Sequence, residues 1–209
     1  MTRTQLALTD TVAPSIWLAL LLPVLLVACS TTPTPPQHTN RIDHQQQINQ
    51  LDSWRIRGKV GVRAESGSGS ASVDWSQQGK LYEIRLSGAL GFGSVHIQGD
   101  EQMAHWRQAN GERFSSDSPE DVIASALGWS LPIDSLRYWI RGIAAPNAKV
   151  TGFEYRGALL YELEQLGWQL SFDRYDHNST PTLPGRIVMV SAGKQITFLI
   201  REWNLEDGL

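Results

Sequence analysis

Reactive side chains are few in this chain, and their spacing assembles no catalytic set. There is one cysteine, Cys29, and there are five histidines: His38, His44, His96, His105 and His177. A metal centre or a nucleophile–base pair draws on such groups at set spacings, as in C-x-x-C or H-E-x-x-H, and neither occurs. Only His96 and His105 can meet, across a hairpin, and there they read as polar-face strand residues. Asp173 and Asp176 flank Tyr175 in a pattern that suits a loop or surface. No Walker loop or G-x-S-x-G elbow is present. The glycine-rich run Gly88-Ala89-Leu90-Gly91-Phe92-Gly93 is not a dinucleotide fingerprint, because no βαβ unit surrounds it. Neither catalysis nor a cofactor is expected, and no metal site.

What remains is the chemistry of Cys29. It closes the apolar run Ile16–Ala28, which follows a start carrying Arg3 and little other charge. The run is shorter than the roughly 20 residues that span a bilayer, and fits the core of a signal peptide. Leu26-Val27-Ala28-Cys29 resembles the lipobox of bacterial lipoproteins, with a small residue before the modified cysteine. That resemblance implies cleavage before Cys29, a diacylglyceryl thioether on its sulfur and acylation of the new amine. The alternative is a plain secretory signal with an incidental thiol. An unpaired cysteine in an oxidising compartment needs an explanation, and acylation is one. Ser30 stands where sorting systems of this kind read Asp as an inner-membrane signal, which by analogy directs the chain to the outer membrane, facing the periplasm. The expected organisation is signal peptide 1–28, lipidated tether 29–40 and folded domain 41–209, the Pro/Thr-rich run after Cys29 reading as a stiffened, extended tether.

Residues beyond the signal suffice for one domain with a real core. The net charge of -3 and its scatter give no electrostatic footprint for nucleic acid. Hydrophobic periodicity places the elements. Ile42, Gln45, Ile48 and Leu51 fall at helical spacing in a short polar helix, residues 41–52. From Trp54 to Ala64 apolar or small residues alternate with mostly basic ones, as in a half-buried strand. Gly67 and Gly69 are expected to turn the chain. Strands follow at Ala71–Trp75, Tyr82–Leu86, Val95–Ile97 and Met103–Trp106. Ser118-Pro119-Glu120-Asp121 starts a helix that runs to Leu127, and a second helix runs from Ile133 to Arg141. Strands resume at 150–156, 159–165, 167–174, 186–190 and 195–201. With no βαβ rhythm, this is mainly β with α: a single curled antiparallel sheet with two helices across its concave face.

Trp54, Trp75, Trp106, Trp129, Trp139, Trp168 and Trp203 lie beyond the signal. Core packing accounts for any one of them, and together they are enough to line an apolar pocket. The expected pocket residues are Trp75, Ile84, Leu86, Val95, Ile97, Leu136, Trp139, Ile140 and Trp168. Leu90 sits among glycines with little local shelter. Held in water it forgoes roughly 1.5–3 kcal/mol of burial. Either it folds back onto the sheet, or it is a wedge for acyl chains or a bilayer.

The chain resembles the LolB family, outer-membrane lipoproteins that accept other lipoproteins from a periplasmic carrier. The resemblance rests on Leu26–Cys29, Arg57-Gly58, Trp75-Ser76-Gln77, Leu90-Gly91, Pro132–Gly142, Trp168–Tyr175 and Leu183-Pro184, in that order. It implies an incomplete antiparallel β-barrel with a helical lid over an apolar cavity. It also implies a monomeric transfer protein whose partners are a LolA-like carrier, the acyl chains of cargo lipoproteins and the inner leaflet of the outer membrane. The leucine of the family's protruding loop falls on Leu90, with Gly88, Gly91 and Gly93 shaping the loop; Phe92, two residues on, departs from the family pattern and is expected to share the role. Ala89 stands where a proline is common. Two other readings stay open from the residues alone: a lipid-anchored envelope scaffold for another apolar ligand or partner, and an envelope hydrolase.

Overall fold

The computed structural model describes residues 40–65, 67–88, 93–127 and 130–205. Cys29, Leu90, Gly91, Phe92 and Trp129 lie outside the described residues. Helix α1 (Arg41–Asn49) leads into strands β1 (Ser53–Ala64), β2 (Gly67–Gln78), β3 (Leu81–Gly88), β4 (Gly93–Gly99), β5 (Ala104–Gln108) and β6 (Arg113–Ser116). Helices α2 (Pro119–Leu127) and α3 (Ile133–Trp139) interrupt the strands, which resume as β7 (Val150–Arg156), β8 (Leu159–Gln165), β9 (Trp168–Asp173), β10 (Arg186–Ser191) and β11 (Lys194–Asn204).

All eleven strands form one sheet in the order β6-β5-β4-β3-β2-β1-β11-β10-β9-β8-β7, with antiparallel pairing throughout. β6 and β7 end that order unpaired with each other, so among the described residues the barrel stays open. The period-2 pattern decides which face is inward. On β1, Trp54, Ile56, Val60 and Val62 are buried, while Arg57, Lys59 and Arg63 are exposed. The two halves of the chain join at β1–β11, whose register shifts between Arg57 and Gly58. A Cβ on Gly58 would lie 2.0 Å from the Leu199 carbonyl oxygen, so no other residue fits this bulge.

Some expected boundaries move. Gly67 and Gly69 do not turn the chain: both pair in β2, opposite Ala64 and Val62, because β1 runs long enough to need partners there. β6 was not expected, since Arg-Phe-Ser-Ser carries no apolar alternation; pairing with β5 and packing against α2 recruit it. Helix α3 ends at Trp139 rather than Arg141, with Ile140 as its C-cap and Gly142 in the left-handed region at φ 76°. α1 is less superficial than its polarity suggests: His44 and Ile48 are buried, and Asn40 caps it by accepting from the Ile42 N–H at 2.8 Å.

Residues 35–209 form one compact unit. Its core packs the inner sheet face against α2 and α3. A unit with its own core carries what independent folding requires.

Candidate functional site

Beneath the helices lies a cavity that, among the described residues, is lined by apolar side chains. The sheet supplies Val60 and Val62 from β1, Val73 and Trp75 from β2, Ile84 and Leu86 from β3, Ile97 from β4 and Phe198 from β11. Ile123 of α2, Ile133 and Leu136 of α3, and Leu131 between the helices close it from above. Ile133 and Leu136 face it together because residues three apart share a helix face.

Of the expected pocket residues, Trp75, Ile84, Leu86, Ile97 and Leu136 line this cavity. Val95, Trp139, Ile140 and Trp168 are buried but do not. The cavity lies over β1–β4 and β11, whereas the far end of α3 packs toward β8. There the Trp139 Nε1–H donates to the Gln165 side-chain oxygen at 2.7 Å. Trp168 pairs with Gln165 at the β8–β9 turn. The lining positions absent from the expected set, among them Val60, Val73 and Phe198, carry the same inward alternation as those in it. Medium-sized aliphatics in a strand read as ordinary core, which hid them.

Gln165 is a further residue the sequence did not point to. Fully buried, its oxygen also accepts the Ala145 N–H at 2.9 Å, and its amide donates to the Ala145 and Ala148 carbonyls at 2.8 and 2.7 Å. It ties the end of α3 and the chain after it to the sheet. The signal was a polar residue at an inward strand position.

The motif stretches that carry the family resemblance act as braces. In Trp75-Ser76-Gln77, Trp75 donates its buried N–H to Gln77 at 3.1 Å, and Gln77 donates onward to the Gly79 carbonyl. Trp54 packs on both Trp75 and Trp203, with centroids 5.1 and 5.7 Å apart. Arg141 donates to the Ile48 and Leu51 carbonyls at 2.9 and 3.1 Å, securing the end of α1. Burial pushes its guanidinium down to about 10, which leaves it charged at neutral pH. A Cβ on Gly142 would lie 3.2 Å from the Tyr175 hydroxyl and 3.3 Å from Pro184, so three motif stretches meet at one glycine. Tyr175 is buried and donates to the Leu160 carbonyl, while Asp173 pairs with Arg186 at 2.6 Å. His96 and His105 occupy the outer sheet face, His96 bonded to Glu83 at 2.6 Å and His105 to Gln98 at 3.3 Å.

Gly88 and Gly93 face each other where β3 and β4 end. Gly88 has φ 131°, a left-handed conformation that calls for glycine, although a Cβ there would make only ordinary contact with the β2 backbone at Ala71.

One carboxylate sits at the lid. Burial, and then the neighbouring Glu120, hold the Asp134 carboxyl above its ordinary range. A native carboxyl with a raised pKa binds more protons than the unfolded chain. Stability is therefore lost as pH rises from the ordinary carboxylate range through the native pKa. Asp134→Asn is expected to melt higher than the parent at pH 7 and to match it in acid below that range. Thermal melts across pH check this, and a gain that persists undiminished in acid would contradict it.

An open antiparallel half-barrel with two helices over an apolar cavity defines the class of protein: a lidded half-barrel. The family described as "Outer membrane lipoprotein LolB" matches residues 52–203. The chain belongs to the LolB family. The outer-membrane lipoprotein LolB of Pseudomonas paraeruginosa is 39% identical over 160 residues, 77% of this chain and 78% of that one. That of Marinobacter nauticus is 36% identical over 181 residues, 85% and 86% of the two chains. Among solved structures, a LolA superfamily protein from Nitrosomonas europaea has the same fold, with a TM-score of 0.50 at 8% identity over 81% of this chain and 94% of that one.

Proposed function

We propose that this protein receives lipoproteins from a LolA-like periplasmic carrier, shelters their acyl chains in the cavity beneath α2 and α3, and inserts them into the outer membrane. The observation that carries the reading is the apolar cavity itself, set in a chain of the LolB family. Its relatives are named outer-membrane lipoproteins, and in our reading this protein likewise works from the outer membrane, lipid-anchored and facing the periplasm.

In our reading residues 1–28 are the signal, Cys29 bears the lipid, residues 29–40 are the tether, and the monomeric domain does the work. Each CH₂ taken out of water is worth about 0.8 kcal/mol, so unsheltered transit of whole acyl chains is prohibitive. Direction needs no nucleotide if each host holds the chains more tightly than the last: carrier, cavity, bilayer.

The cavity has a volume of about 40 Å³. Cavities of about 150 Å³ are what hold benzene. An acyl chain therefore enters only if the lid moves. The end of α3 is pinned through Trp139 to Gln165, and Pro132 gives its start no side-chain cap. We place the opening at α2 and the start of α3, with the Trp139 end as the fixed point. Leu90, with Phe92, is then the wedge that meets the inner leaflet during delivery.

The test is transfer in solution. Residues 30–209, which include the whole compact unit but not Cys29, are expected to take cargo from a purified carrier–lipoprotein complex. Cargo that stays with the carrier, while the receiving domain is folded, would contradict the function.

A further inference from the structure

The outer sheet face carries a row of basic side chains with too few acids to match. Arg85 of β3 pairs in register with His96 of β4, His96 with Arg107 of β5, and Arg107 with Arg113 of β6. These side chains point away from the core, because their neighbours Ile84, Leu86, Val95, Ile97 and Trp106 are the buried ones. Arg85 and His96 share one carboxylate, Glu83. Asp74, the next group along the row, is taken by Arg55 and Arg57. Among the described residues no carboxylate lies within ion-pair distance of Arg107 or Arg113, Glu112 of the adjoining turn included. Like charges directly opposite across strands are destabilising. Here two arginines face each other at a sheet edge, in a chain whose net charge is -3. Toward the opposite edge carboxylates gather instead: Glu154 of β7, ion-paired with Arg156 at 2.8 Å, lies opposite Glu162 of β8, and Glu164 lies two residues on. His96, His105, Arg107 and Arg113, with Gln98 and Ser115 between them, line an outer groove of about 280 Å³.

We infer that this row is a docking surface for the anionic headgroups of a phospholipid bilayer. Guanidinium groups donate in a planar fork that matches phosphate oxygens. Position supports the same occupant. The row lies three residues behind the Gly88–Gly93 strand ends, about 10 Å at the usual strand rise. The β5–β6 turn projects from that same end of the sheet, since the Ala109 N–H donates to the Ser94 carbonyl. If that end meets the membrane, as the proposed delivery step requires, the arginines reach the headgroup layer while the strand ends go deeper. The row would then orient the domain on the bilayer, with its acidic edge turned away.

The test is flotation of residues 30–209 with vesicles containing phosphatidylglycerol, against vesicles of phosphatidylcholine alone. Each basic side chain at an anionic surface strengthens attachment about fivefold. The double variant Arg107→Gln/Arg113→Gln is expected to bind the anionic vesicles about 25-fold more weakly and the neutral ones unchanged. Arg107→Lys/Arg113→Lys keeps the charge and is expected to retain most of the binding. Raised salt is expected to erase the difference between parent and Gln variant. Equal binding by parent and Gln variant would overturn the inference. So would a Gln variant that binds vesicles normally but no longer takes cargo from the carrier, which would make the row a protein-docking surface. Transfer in solution without vesicles, run in parallel, keeps the two readings apart: its failure in the parent counts against the cavity function, not against the row.

Discussion

Leu90→Glu is expected to fold as the parent does and to accept lipoprotein from the carrier, yet to deliver almost none of it to a membrane. Leu90 lies in the sequence between β3 and β4, flanked by Ala89 and Gly91 and close to Gly88 and Gly93, a setting with little local shelter. Replacing it removes no side chain from the core described above, so the melting temperature should hold. Delivery is different. Leu insertion gains roughly 1.5–3 kcal/mol, and a charge at bilayer depth costs about 2.5–3.5 kcal/mol. A combined penalty of about 4 kcal/mol slows delivery by a factor of roughly 10³. The check is a two-stage assay, with carrier-to-domain transfer measured first and domain-to-vesicle transfer second. Delivery at the parental rate would remove the wedge from the mechanism. Phe92→Glu in the same assay measures how far Phe92 shares the role.

Gln165→Leu is expected to have the largest effect on stability. The substitution keeps the volume and removes every polar atom. It strands the buried Trp139 N–H and the Ala145 N–H, along with the Ala145 and Ala148 carbonyls. A buried group left without a partner costs about 1–3 kcal/mol. Two stranded donors together give about 4 kcal/mol, roughly a 10 °C fall in melting temperature for a domain of this size. Thermal melts test this directly, and a fall of less than a few degrees would mean that the network is not what fixes the end of α3. The same variant probes the lid. With its anchor gone α3 moves as a whole, so the cavity should admit a fluorescent fatty-acid probe faster than in the parent.

Much of this architecture was legible in the residues. Alternation from Trp54 to Ala64 and from Val150 onward reports strands half in a core, and the absence of a βαβ rhythm leaves an antiparallel sheet. Ser118-Pro119-Glu120-Asp121 marks a helix start by local chemistry alone, and the Ser118 hydroxyl accepts the Asp121 N–H at 3.2 Å. What failed depended on the neighbouring strand rather than on the segment's own side chains. β6 exists because β5 offers it a ladder, and Gly67–Ser70 are strand because β1 extends far enough to pair with them.

The cavity was legible by composition but not by address. Trp75, Ile84 and Leu86 line it, while Trp139 and Trp168 do not, because aromatic bulk says how much core there is and not where the packing fails to close. The helix spacing of Ile133, Leu136 and Trp139 suggests one continuous face. In the structure the first two reach the cavity and the third reaches Gln165, a residue more than 20 positions away in sequence. The outer basic row was equally out of reach, since Arg85, His96, Arg107 and Arg113 become neighbours only through strand register.

The most direct measurement of the central claim uses the transfer reaction with a cargo lipoprotein whose acyl chain carries a photoactivatable group. Irradiation after handover, followed by peptide mapping, reports where the chain lies. The account predicts cross-links to the cavity wall, at residues such as Val73, Leu86, Leu136 and Phe198, and none to the outer strand faces. Cross-links confined to outer residues such as Arg85 or Arg107, with the cavity residues unlabelled, would contradict it.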